Sequence, residues 1–128
     1  MKRSLQLNPD NRPANWEQVK HWRDTHEISP VTTTFGAFDC GERSEARMVQ
    51  AIEEFDYLPT VTNGKLTWKR ADNTLVALTK SELQQTYAEV RRERAMRAAQ
   101  LHAKAEDLRT LVTKPTVAEL KSLDFWLN

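Results

Sequence analysis

Cysteine occurs once in these 128 residues, as Cys40, so no disulfide can close within the chain, and a reducing compartment is the simpler expectation. The three glycines, Gly36, Gly41 and Gly64, stand apart from one another. That spacing excludes a glycine-rich phosphate loop, which needs clustered residues to bring several backbone N–H groups close to an anion. No apolar run approaches the roughly 20 residues needed to span a bilayer, and no membrane partner is expected. Neither sign of charge dominates: 19 Lys and Arg against 18 Asp and Glu leave a net charge of +1. A protein dedicated to nucleic acid or to a membrane surface would carry a larger imbalance. The start, from Met1 to Asn8, is basic but lacks an apolar segment, and does not read as a secretory signal.

What is present is a helix-rich pattern with some strand. A charged fraction of 29% fits long, exposed helical faces. Ser4–Leu7 suits a short edge strand, stopped by Asn8-Pro9-Asp10. Asn15 with Gln18 three residues later marks a helix start, running to about His26 with Trp16, Val19 and Trp22 on its inner face. Val31–Phe38 is β-branched and aromatic, which predicts one strand with a bulge or weak edge at Gly36. A second helix begins near Glu42 to Ser44, with Met48, Val49, Ile52 and Phe55 inward, and Pro59 bars its continuation. Asn63-Gly64 is the type I′ turn dipeptide, since both central residues need positive φ. Ala71-Asp72-Asn73 is a second turn, and Leu66 and Trp68 alternate with lysine and threonine, so a small antiparallel meander is expected.

Thr79 and Glu82 form a capping box, after which nothing breaks the helix before Lys114-Pro115. About 33 residues at 1.5 Å each make roughly 50 Å, whereas a compact domain of this length is about 36 Å across. Such a helix overhangs, bends or packs on another chain. Its apolar positions are Leu83, Tyr87, Val90, Ala98, Leu101, Ala105, Leu108 and Val112, with a four-residue stutter near Arg94 that disfavours a simple coiled coil. Two readings stay open: a helix folded onto its own sheet and the last helix, or one that self-associates or docks a partner. Thr116 and Glu119 repeat the capping box for a short helix to about 124, with Val117, Leu120 and Leu123 on one face. Phe125 and Trp126 then either fold back over it or anchor a neighbour.

Reaction chemistry is sparse. His21 and His26 are on different helix faces, His102 is isolated, and their spacing with Cys40 does not make a metal site. Cys40 at a helix start has no partnered base in any motif. Glu53, Glu54 and Asp56 read as the polar side of a helix. No catalytic residue, metal or cofactor is therefore assigned, and an enzyme is not expected. Arg91, Arg92, Arg94, Arg97 and Lys104 form a basic cluster that supports an alternative reading as phosphate contacts of a nucleic-acid-binding module. The glutamates that flank them suit intrahelical pairing, which favours a solvated, salt-bridged face.

Several segments together resemble a known family: Phe38-Asp39, Ser44 and Arg47, Ala51-Ile52, the run Leu66–Asn73, Leu78–Leu83, the alanine-rich helix and Thr116–Leu120. The pattern is similar to the small phage and prophage tail-associated domain of unknown function, found alone or joined to tail-fibre and tail-assembly proteins. It covers roughly residues 38–126, leaving 1–37 as a separate strand–helix–strand region and 38–128 as the tail-associated domain. The α+β expectation is then a small antiparallel sheet with N-terminal helices, one long helix at about 80–113 and a short final helix. The resemblance implies a non-enzymatic tail or baseplate component, or a tail-fibre assembly chaperone, binding tail proteins in the host cytoplasm and, as a component, residing in the virion tail. Leu83, Tyr87, Val90, Ala98, Leu101, Ala105, Leu108, Phe125 and Trp126 are the expected protein-contact residues.

Overall fold

The computed structural model describes residues 8–128, so the strand expected at Ser4–Leu7 lies outside the described residues. In chain order, α1 is Trp16–Glu27, β1 is Val31–Thr33, β2 is Gly36–Phe38 and α2 is Glu42–Glu53. After them come β3 at Lys65–Lys69, β4 at Leu75–Thr79, the long α3 at Lys80–Thr110, α4 at Val117–Lys121 and α5 at Leu123–Leu127. Helices with small antiparallel sheets make this the α+β chain that the sequence predicts.

Three helices start where their capping residues direct. The Gln18 amide donates to Asn15 Oδ1 at 2.8 Å while Asn15 N–H donates to Gln18 Oε1 at 2.9 Å. Thr79 with Glu82 and Thr116 with Glu119 repeat this exchange. Each box satisfies two N–H groups that would otherwise be left open at a helix entrance. The start of α2 is made differently: Gly41, at φ 105°, offers no side chain, and its N–H donates instead to Glu45 Oε2 at 2.9 Å.

The chain divides into two compact units. One comprises the described residues up to Glu27 together with Arg97–Asn128, the other Ile28–Met96. In the first, Val19, Leu101, Ala105, Leu108, Leu120 and Trp126 form the core, with Trp16 and Trp22 half-buried on it. Ala14 N–H donates to the Pro115 carbonyl at 2.8 Å, and Pro13 bridges Thr116, which fixes the chain entering α4. In the second, Val31, Phe38, Met48 and Val90 form one cluster and Ala51, Phe55, Leu66, Leu78 and Leu83 another. Phe35, Trp68 and Val76 pack against both.

Two expectations, the single strand at Val31–Phe38 and a full strand before Asn63, are corrected, and others are refined. Val31–Phe38 is not one strand but the β1–β2 hairpin, because Thr33 Oγ1 accepts from Phe35 N–H and donates to the Gly36 carbonyl, and Gly36 takes φ 114°. The antiparallel pairing expected across the Ala71–Asn73 turn is the β3–β4 hairpin, and β1–β2 forms a second, separate two-stranded sheet. Asn63 and Gly64 do take positive φ, but the strand before them shrinks to a single Thr62–Lys65 bridge. The long helix and the short final helical segment are present as expected; α3 ends at Thr110, where Lys114 Nζ donates to the Leu108 and Arg109 carbonyls, and Ser122 divides the terminal segment into α4 and α5.

Candidate functional site

The apolar face of α3 is occupied within the chain. Leu83 and Val90 are fully buried in the Ile28–Met96 unit, and Leu101, Ala105, Leu108 and Trp126 in the other. Tyr87 and Ala98 are half-buried. Phe125 is half-buried too, with Lys104 Nζ 4.9 Å from its ring centre. These positions were expected to face a partner; the fold places most of them in its own core instead. The buried and half-buried positions 83, 86, 90, 94, 97, 101, 105 and 108 follow a repeating three-four-four spacing. That is an eleven-residue pattern of about 3.67 residues per turn, near enough to the roughly 3.6 of an α-helix that the stripe drifts only slowly around it. What looks like a coiled-coil stutter is this longer period.

Two arginines occupy the middle of the stripe. Arg94 forks onto Glu45, with Nε on Oε2 and Nη2 on Oε1 at 3.1 Å. Burial pushes the Glu45 carboxyl up. The Arg94 hydrogen bonds, the Gly41 N–H and the charges of Arg94 and Arg91 outweigh it, and hold the group below the ordinary glutamate range. Arg97 Nη1 donates to the His26 carbonyl at 3.1 Å, and Lys104 Nζ to the main-chain oxygen of Asn128 at 2.9 Å. Arg91 lies over the Tyr87 ring, 5.5 Å from its centre, and Arg92 is exposed. Three of the five basic residues assigned to phosphate contact thus have main-chain or carboxylate partners inside the chain.

Cys40 is 8% exposed, and its thiol donates to the Ser29 carbonyl at 3.2 Å. His26, which the sequence did not mark as inward, is buried between Trp22 and Trp126, and its Nε2 lies 2.8 Å from the Leu120 carbonyl. The same carbonyl accepts Trp126 Nε1–H at 2.8 Å. A carbonyl can only accept, so Nε2 carries the proton. These groups are committed to holding structure.

A different group of side chains is brought together, whose polar members have no internal side-chain partner among the described residues. Phe38 and Asp39 at the end of β2, Ser44, Arg47 and Met48 of α2, and Trp68 and Lys69 of β3 line a cleft of about 280 Å³. Phe38 and Met48 are buried and Trp68 half-buried, giving an apolar floor, while Asp39, Arg47 and Lys69 are exposed around it. Among the described residues, no side-chain hydrogen bond or ion pair engages Asp39, Ser44, Arg47 or Lys69. The volume lies just below the roughly 300–1,000 Å³ of small-molecule pockets. Two cations, one carboxylate and a hydroxyl over an aromatic floor can hold an apolar side chain and orient the charged or main-chain groups beside it.

Nothing local in the sequence marks this site as a unit, although Phe38-Asp39, Ser44, Arg47 and the segment containing Trp68-Lys69 all belong to the family-like pattern. Those segments are distant along the chain, and only folding brings them to one cleft. The chain belongs to the family described as Domain of unknown function (DUF4376), whose model matches residues 10–125. No curated protein and no solved structure matches the chain.

Proposed function

We propose that this protein is a non-enzymatic, bacteriophage tail-associated structural or assembly protein that works by binding another protein. The observation that supports a binding role is the cleft: an apolar floor rimmed by charged and polar side chains that nothing else in the described chain engages. Such mixed surfaces recognise protein segments, the floor supplying contact area and the rim supplying orientation. The tail assignment rests on the resemblance of the segments that line it. On this reading the partner is a tail, baseplate or tail-fibre protein met in the host cytoplasm, either transiently during fibre assembly or on the way into the virion.

Because the apolar stripe of α3 is engaged internally, this reading takes the cleft as the contact surface, with the exposed Arg92, Ala95 and Met96 of the same unit available beside it in sequence. Co-expression with tail and tail-fibre proteins tests this. Co-purification that is lost with Trp68→Ala and with Arg47→Glu is the expected result. Failure of every tail protein to co-purify, with infectious particles assembling normally in its absence, overturns it. The nucleic-acid alternative gains no support from the basic cluster, because Arg94, Arg97 and Lys104 have internal partners.

A further inference from the structure

The two hairpins of the Ile28–Met96 unit are joined by one backbone hydrogen bond among the described residues, Ala71 N–H to the Ala37 carbonyl at 2.9 Å. Past that bond they do not pair again, and Phe38-Asp39 and Trp68-Lys69 line the cleft. The β3–β4 ladder decides which groups of β3 are left over. Arg70 N–H donates to the Thr74 carbonyl at 2.7 Å, and Trp68 and Leu66 stand opposite Val76 and Leu78. Antiparallel pairs alternate between bonded and non-bonded, so Trp68 and Leu66 exchange bonds with β4. Lys65, Thr67 and Lys69 then direct their N–H and C=O groups to the opposite edge. Lys65 indeed bonds Thr62 there, at 2.9 and 3.0 Å, while among the described residues Thr67 and Lys69 have no backbone bond outside the β3–β4 ladder.

We propose that an extended segment of a partner protein adds to this open edge of β3 as a further strand, beside the Phe38–Asp39 end of β2, and that its sequence alternates acidic and apolar residues. Main-chain bonds to Thr67 and Lys69 supply the register. The exposed side chains of Lys65, Thr67 and Lys69 form one face, where acidic residues opposite Thr67 and Lys69 are favoured, Lys65 being already bridged to Thr62 at this edge. The other face continues the floor of Trp68, Phe38 and Met48, which takes the apolar residues, and Arg47 adds a cation at the rim. This inference rests on the cleft being a protein-contact site, but not on the partner being a tail protein.

The test uses the full chain, labelled with ¹⁵N, and an acetylated, amidated peptide alternating valine and glutamate. Saturable binding is expected, with shifted Thr67 and Lys69 amides whose solvent exchange slows at least about tenfold. A peptide with lysine in place of glutamate should bind at least about tenfold more weakly, and Lys69→Glu should have the same effect on the glutamate peptide. Each tenfold step is about 1.4 kcal/mol. Of two isomers N-methylated at alternate residues, one should retain binding and the other lose it, because only one edge of the added strand faces β3. This last arm leaves the protein unaltered. Absence of saturable binding overturns the proposal, as Lys65 and Lys69 would then serve only to guard an edge against pairing. Equal binding by both methylated isomers also overturns it, by showing that side chains alone carry recognition. A wrong tail assignment would instead appear as no co-purification with tail proteins, with the peptide result intact.

Discussion

Glu45 shows how much one residue can carry in this fold. Its carboxylate caps the start of α2 through Gly41 N–H and pairs with Arg94 of α3 while only 8% exposed. Removing one partner of such a pair leaves the other charge poorly solvated, so Glu45→Ala should destabilise by roughly 2–4 kcal/mol, measured by urea unfolding. The sign of its pH dependence follows from a folded pKa below the unfolded one. The contribution is complete above the ordinary glutamate value, about 4.3, and is lost as pH falls through the depressed folded value. Stability of the native chain should therefore drop on acidification from the ordinary glutamate value down through the depressed one, and the drop should be smaller in Glu45→Gln. Gly36 is a second single-residue control. A Cβ there would sit 2.6 Å from Arg70 Nε, and the backbone is already at φ 114°. Gly36→Ala should cost about 1–3 kcal/mol, chiefly by displacing Arg70 from its 2.8 Å bond to the Phe35 carbonyl.

At the scale of elements, helix entrances were the most legible features. Asn15, Thr79 and Thr116 each stand three residues before a glutamine or glutamate, and a cap is local chemistry that needs no distant partner. Thr116→Ala should accordingly cost about 0.5–2 kcal/mol in thermal or urea unfolding, read by loss of helical circular dichroism. Helix ends and strand breaks were less legible. The end of α3 depends on Lys114 reaching back to two carbonyls, and the β1–β2 turn depends on where the Thr33 hydroxyl points. In sequence, Trp126 is compatible both with folding back and with docking a neighbour. In the fold it is 2% exposed and bonded to Leu120, so Trp126→Ala should lose about 3–5 kcal/mol. Trp126→Phe should lose less, since it keeps most of the packing and gives up the bond.

At the scale of the molecule, the exposed large apolar residues among the described ones are, apart from the neighbours Leu111 and Val112, dispersed in sequence: Ile28, Tyr57, Leu75, Met96 and Leu127. Single exposed apolar residues are ordinary on a protein surface, and the stripe that would have driven self-association is buried. The purified chain should therefore run as a monomer of 14.8 kDa in light scattering at micromolar concentration. A dimer that persists on dilution would shift attention to the outward alanines of α3. In either case, a heterologous partner at the cleft remains a separate measurement.

The sequence by itself determined the α+β class, the helix starts, the two polar turns and the long α3, because caps, turn dipeptides and periodicity act over a few residues. It could not decide which surfaces of α3 remain for a partner, since an apolar stripe looks the same whether it meets its own chain or another. Folding decided that by burying Leu83, Val90, Leu101, Ala105 and Leu108 and by pairing Arg94 with Glu45. It also decided the cleft. Asp39, Arg47 and Lys69 carry no local signal of a shared role, and only the packing of β2, α2 and β3 brings their unengaged side chains to one place.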